Sequence, residues 1–163
     1  VIDERAGRRF DEASGTARRE GRVLLGGTRL SGGVFDRGVY VAPTIVDGLP
    51  NGHRLSRDEL FLPFLTVHRF HDLGEALKLG NAVLYGLTAG VYTRDEADLA
   101  AFLEGAEAGV LYANRASGAT TGAWPGIQTF CGWKGSGLTG KGGLGPWYVP
   151  QFMREQSHTI MSE

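Results

Sequence analysis

Between residues 114 and 137 the chain gathers groups that could bind or react. They are Asn114, Arg115, the thiol of Cys131, the aromatics Trp124, Phe130 and Trp133, and a succession of glycines. Glycine lets a ligand approach the backbone, and successive N–H groups can converge on an anion. A loop of this length inside a compact domain is either functional or disordered, and three large aromatics oppose disorder. The segment is read as half of a binding site, although no complete nucleophile, general-base or cofactor-phosphate motif accompanies it.

Two other patterns invite chemistry and fail. Gly135-Ser136-Gly137-Leu138-Thr139-Gly140-Lys141 fits the start of a P-loop, whose amides cradle phosphates while the lysine reaches them. Gly142 then stands where a Ser or Thr must hold the metal, and Gly143-Leu144-Gly145-Pro146 cannot begin the helix such a site requires. Among the four histidines, His68 and His71 would point to opposite faces of a strand, and His53 and His158 lack a spaced partner. No metal site is expected.

The elements that must position the loop follow from periodicity. Ile2, Ala6, Phe10, Ala13 and Ala17 recur at helical spacing, and Gly21 should end that helix. Residues 23–25 read as a short strand. Residues 40–46 read as an edge or irregular strand because Pro43 interrupts them, and residues 64–70 as a buried strand. Asp72 with Glu75 resembles a capping box opening a helix that Gly86 could terminate, and residues 87–92 give the next strand. Thr93 with Glu96 suggests a second capping box for an Ala-rich helix running to about Gly109, before a strand at 110–113. The resulting β-α-β-α-β order predicts an α/β fold, a parallel sheet with helices on both faces. Ligands of such sheets bind beyond the carboxyl ends of the strands, and the loop after residue 113 leaves one of those ends.

Composition narrows the function classes. A chain of 163 residues, 42% hydrophobic, can bury its own core, and residues 1–163 are expected to form a single domain. A net charge of −1 with interspersed signs offers no footprint for nucleic acid. One cysteine, no signal peptide and no bilayer-spanning apolar run point to a soluble chain in the reducing cytoplasm, without a membrane partner.

Several motifs in one order then carry a resemblance. They are Val1-Ile2-Asp3 ahead of a helix, Glu20-Gly21-Arg22-Val23-Leu24-Leu25-Gly26-Gly27, Tyr40-Val41-Ala42-Pro43-Thr44-Ile45, Asp58-Glu59-Leu60-Phe61-Leu62-Pro63, Tyr85-Gly86-Leu87-Thr88-Ala89-Gly90-Val91 and the loop itself. Over nearly its whole length the chain resembles the C-terminal part of the aldehyde dehydrogenase catalytic domain. The resemblance is strongest to the 1-pyrroline-5-carboxylate dehydrogenases, which oxidise glutamate γ-semialdehyde in proline catabolism.

The resemblance implies roles. In the family's E-x-F-G-P motif the glutamate bonds the nicotinamide-side ribose and the phenylalanine packs near the nicotinamide. Glu59 and Phe61 match them, with Leu62 in place of the common glycine, as is usual in this branch. The branch also binds the substrate's α-carboxylate on Thr-Gly-Ala backbone amides and packs the aromatic of a Q-P-F-G-G motif on the aldehyde's alkyl chain. Counted back from Gln128 without gaps, these match Thr121-Gly122-Ala123 and Phe130; a competing alignment uses Ser117-Gly118-Ala119. Asn114 matches a strand-end loop organiser. Thr129 and Cys131 depart from the motif's Pro and Gly.

The family's dinucleotide-binding glycines, general-base glutamate, oxyanion-holding asparagine and nucleophilic cysteine belong to motifs ahead of those matched here, and Cys131 is not that cysteine. The resemblance therefore implies NAD as cofactor only when an N-terminal dehydrogenase half completes the site, an aldehyde bearing an α-carboxylate as substrate, and no activity for the chain alone. It also implies a homo-oligomer built through a strand at 147–163. A non-catalytic remnant, or an oligomerisation or regulatory module of the family, is the alternative.

Overall fold

A computed structural model of the chain describes residues 1–116, 123, 126–137 and 141–162. The chain falls into two compact units, Val1–Val83 and Leu84–Glu163.

The first unit is built on helix α1 (Glu4–Glu20), opened by Asp3, whose carboxylate accepts from the N–H of Ala6 at 2.7 Å. Its apolar stripe buries Ala6, Phe10, Ala13 and Ala17. Gly21 ends it, as expected, but in extended backbone at φ −146° rather than the left-handed form. Glycine is required there by crowding: a Cβ would lie 2.8 Å from Leu49 Cδ2 and 2.9 Å from the Asp47 carbonyl.

Strand β1 (Arg22–Leu25) follows, then β2 (Arg29–Leu30), β3 (Tyr40–Val41), β4 (Thr44–Asp47) and β5 (Phe64–Thr66). β1 and β4 pair antiparallel, β4 and β5 parallel, and β2 and β3 form a separate antiparallel ribbon. Of the edge or irregular strand expected at 40–46, the irregularity is found and the edge position is corrected. Pro43 falls between β3 and β4, outside both ladders, so β4 occupies the centre of its sheet. Val46, fully buried, packs there with Ala13, Ala17, Leu49 and Leu55; such burial is worth about 1.5–3 kcal/mol per large side chain. The buried strand expected at 64–70 is also shorter, with Leu65 57% exposed on its outer face.

Helix α2 (Arg54–Arg57) separates β4 from β5, and α3 (Leu73–Asn81) closes the unit. The first half of the capping box of α3 forms, Asp72 accepting from the N–H of Glu75 at 2.8 Å, while Glu75 reaches one residue past the N-cap to accept from the N–H of His71 at 3.0 Å. The terminus expected at Gly86 does not form. α3 stops at Asn81, capped by Ala82, and Gly86 is a strand residue whose added Cβ would sit 2.4 Å from the Glu107 carbonyl.

In the second unit β6 (Tyr85–Gly86) pairs antiparallel with β9 (Trp133–Lys134), and β7 (Thr88–Val91) pairs parallel with β8 (Val110–Ala113) across helix α4 (Glu96–Gly105). The α/β class stands, with mixed sheets and one parallel crossover of the expected kind. The N-cap of α4 is Asp95, accepting from Ala97 and Asp98, while Thr93 accepts from the N–H of Asp95. Apart from a 3₁₀ turn at Pro150–Phe152, residues 147–162 carry no regular element. A strand without a partner has nowhere to place its backbone hydrogen bonds. Among the described residues no helix is long and apolar enough to cross a membrane.

Candidate functional site

The turn between α2 and β5 is held at both ends. On one side Asp58 N–H donates to the Arg54 carbonyl at 2.9 Å; on the other, Thr44 N–H donates to the Pro63 carbonyl at 3.0 Å. Leu60 packs onto the core between these anchors. Its neighbours consequently face out. Phe61 is 83% exposed with φ 56°, a strained conformation for an aromatic residue that persists only where its surroundings impose it. Glu59 is exposed and has no hydrogen bond or ion pair among the described residues. An unsatisfied carboxylate beside an outward-held ring can accept from a vicinal diol while the ring covers a flat ligand face.

The second candidate surface lies at the carboxyl ends of β7 and β8. Asn114, at φ 52°, uses its whole side-chain amide on Thr93: Oδ1 accepts from the N–H at 3.0 Å and Nδ2 donates to the carbonyl at 2.8 Å. Its own N–H donates to the Val91 carbonyl at 2.8 Å, and Tyr92 donates its hydroxyl proton to the Arg115 carbonyl. The residue acts as the expected loop organiser. Of the carboxylate-anchor candidates, Thr121, Gly122, Ser117, Gly118 and Ala119 lie outside the described residues, whereas Ala123 is buried. Phe130 is half-buried and its N–H donates to the Gly143 carbonyl at 2.8 Å.

Groups set aside on sequence grounds are occupied structurally. Gly135 N–H donates to Leu84 and Ser136 N–H to Trp133, each at 3.0 Å, so these amides are unavailable to a phosphate. The Lys141 ammonium lies 4.7 Å above the Trp147 ring. Cys131 is half-buried with its sulfur 3.9 Å from the Gly109 carbonyl, and its own carbonyl lies so close to Gly109 that a Cβ there would fall 1.6 Å away. Packing accounts for its placement. His53 caps α2 through Nδ1, accepting from the N–H of Leu55 at 3.2 Å, and meets Glu20 through Nε2 at 3.0 Å. His68 Nε2 bonds Ser56 Oγ at 2.7 Å. No metal-holding group of three His, Cys, Asp or Glu side chains occurs among the described residues.

Periodicity did not reveal the histidine cap or a cavity of about 380 Å³ in the first unit, bordered by Ser56, Thr66, His68, Leu79 and Val83. Two charge clusters of the unit are structural too. Arg22 donates twice to the buried Asp47, at 2.9 and 2.6 Å, which holds that carboxyl below its ordinary pKa despite burial. Arg29, donating to Glu4 and Asp11, is raised above the usual arginine value for the same reason.

Residues 1–157 match the aldehyde dehydrogenase family. Over 161 residues the chain is 32% identical to the 1-pyrroline-5-carboxylate dehydrogenase of Geobacillus sp. (strain WCH70), covering 99% of this chain and 30% of that protein. It is 40% identical over 118 residues to the fluoroacetaldehyde dehydrogenase of Streptantibioticus cattleyicolor, covering 72% of this chain and 22% of that one. A solved 1-pyrroline-5-carboxylate dehydrogenase from Thermus with bound NAD superposes with a TM-score of 0.78 at 37% identity, over 88% of this chain and 26% of that structure. The chain thus spans 30% or less of the length of these relatives.

Proposed function

The chain belongs to the aldehyde dehydrogenase family, and from that premise we propose that it supplies cofactor and substrate contacts to an NAD-dependent dehydrogenase oxidising glutamate γ-semialdehyde. The observation that carries this is the turn presenting Glu59, unpaired among the described residues, beside an outward Phe61, the residue types a ribose diol and a nicotinamide face require. The similarity to an NAD-bound relative supports the cofactor.

In this reading Glu59 accepts from the ribose hydroxyls and Phe61 covers the nicotinamide. Backbone amides at Gly122 and Ala123 receive the substrate's α-carboxylate, and Phe130 packs on its alkyl chain. NAD, when bound, supplies the hydride acceptor. The family's covalent step needs a thiolate, and Cys131, packed against Gly109 without a hydrogen-bonded base among the described residues, is not suited to supply it. The family's N-terminal half is the proposed partner.

A second reading is favoured by the 40% identity to a fluoroacetaldehyde dehydrogenase, since fluoroacetaldehyde has no carboxylate. One experiment separates the two: NAD reduction measured with both aldehydes, for the chain alone and combined with the family's N-terminal half. The chain alone should give no turnover, and turnover by it that vanished in Cys131→Ala would overturn the assignment of that thiol. In the combined enzyme Gly122→Val should lower the specificity constant for the carboxylated aldehyde by more than about tenfold. Two lost backbone N–H hydrogen bonds to a charged oxygen are worth roughly 2–5 kcal/mol. Fluoroacetaldehyde should be little affected, and Gly118→Val should do much less. Equal losses for both aldehydes would remove the carboxylate anchor from this loop, and a sensitive Gly118 would move it.

A further inference from the structure

We propose that residues 142–145 form a brace that positions Phe130, and that Gly142 is the residue on which it depends. This rests on Phe130 packing against the substrate's alkyl chain, and it adds what holds the ring there.

Two backbone hydrogen bonds fasten the loop to the brace. Phe130 N–H donates to the Gly143 carbonyl at 2.8 Å, within an antiparallel bridge, and Gly126 N–H donates to the Leu144 carbonyl at 3.0 Å. Contact between them is closer than side chains allow. A Cβ on Gly142 would fall 1.8 Å from the Phe130 carbonyl oxygen and 2.6 Å from Cys131 Cα, both backbone atoms that cannot rotate away. A Cβ on Gly145 would fall 2.2 Å from Thr129 Oγ1 and 2.9 Å from Thr129 Cα. Gly143 differs: a Cβ there meets nothing nearer than the Tyr148 ring at 4.0 Å. The requirement for glycine is therefore specific to position. Leu144, at φ 68°, is held in the left-handed region, as expected of a segment whose path is imposed by its neighbours.

Gly142 touches no substrate in this arrangement; it is a positioning residue. Any side chain there pushes on the Phe130 carbonyl and displaces the ring from the position its N–H bond sets. A ring that packs equally on ground and transition states contributes uniform binding, so displacing it should raise KM and leave kcat nearly unchanged.

The test has two arms. In the 163-residue chain, amide hydrogen exchange at Phe130 should accelerate by about tenfold or more in Gly142→Ala and stay near wild type in Gly143→Ala. Should Gly142→Ala fail to fold, Gly145→Ala, which meets mainly a side chain, should accelerate the same amide by a smaller factor. In the enzyme completed by the family's N-terminal half, Gly142→Ala should raise KM for glutamate γ-semialdehyde about tenfold with kcat within about twofold. Unchanged exchange at Phe130 in both Gly142→Ala and Gly145→Ala overturns the brace. Accelerated exchange with an unchanged KM, or a fall confined to kcat, overturns the positioning role. A wild-type completed enzyme that oxidised no aldehyde would sink the proposed function and the positioning role with it, while the exchange arm would still decide the brace.

Discussion

Two carboxylates of the first unit show how surroundings assign opposite tasks to similar groups. Glu59 lies on an exposed turn without a partner among the described residues, so its acceptor capacity is available to a ligand. Asp47 is 8% exposed and fully engaged by Arg22, with Arg69 4.0 Å away. The Arg22 hydrogen bonds are the main cause of its depressed pKa, burial opposes them, and the charges of Arg22 and Arg69 add to the depression. A folded-state pKa below the unfolded one means that protonation favours the unfolded chain. The contribution is full above the ordinary value of 3.8 and is lost as pH falls through that value towards the lower folded one. Urea midpoints measured between about pH 6 and pH 3 should fall in the wild type and fall less steeply in Asp47→Asn. Equal slopes would mean that the pair does not contribute. The residue types at 59 and 61 were legible through the resemblance, whereas the left-handed backbone of Phe61 was not, because no local pattern encodes it.

At the scale of elements, the helix caps separate what spacing encodes from what it leaves open. Asp72 caps α3 as its spacing to Glu75 suggested, with Glu75 reaching back one residue further, to the amide of His71. Thr93 and Glu96 have the same spacing, yet Asp95 lies between them and binds two amides of α4, leaving Thr93 to hold the preceding turn. Asp95→Ala should therefore destabilise the chain by about 1 kcal/mol, and Glu96→Ala by only a few tenths. The reverse order in denaturant unfolding would restore the capping box centred on Thr93. Competition between adjacent capping side chains is decided by backbone dihedrals, which is why spacing alone misplaced the helix start. Pro43 is similar: an imino acid inside a β-rich run demoted the strand, but the chain breaks its ladder at that residue and resumes as the central strand β4.

For the whole molecule, the C-terminal segment raises the question of assembly. Phe152, Met153, Ile160 and Met161 are 69–89% exposed, more apolar surface than an isolated extended segment can leave in water without cost. We propose that residues 147–163 pair with a second copy at a sheet edge, giving a homo-oligomer. Light scattering should then show an oligomer that dissociates when the residues after Pro150 are deleted. A monomer at high concentration, unchanged by the deletion, would count against it.

What the sequence by itself determined is the set of features written in short-range pattern. These are the amphipathic α1 with its end at Gly21, the strand at Val110–Ala113, the α/β class, and, through the order of several motifs, the family. Such features depend on neighbours a few residues away, so a linear text records them. Only the tertiary structure decided that Gly86 serves a strand rather than a helix end, that β4 lies centrally, and that Gly142 and Gly145 press on Thr129 and Phe130. In each case the deciding atom belongs to a residue at least twelve positions away, or to a strand paired from elsewhere in the chain. Close packing of that kind arises from the folded path, and a glycine in the sequence does not say which backbone will come to lie against it.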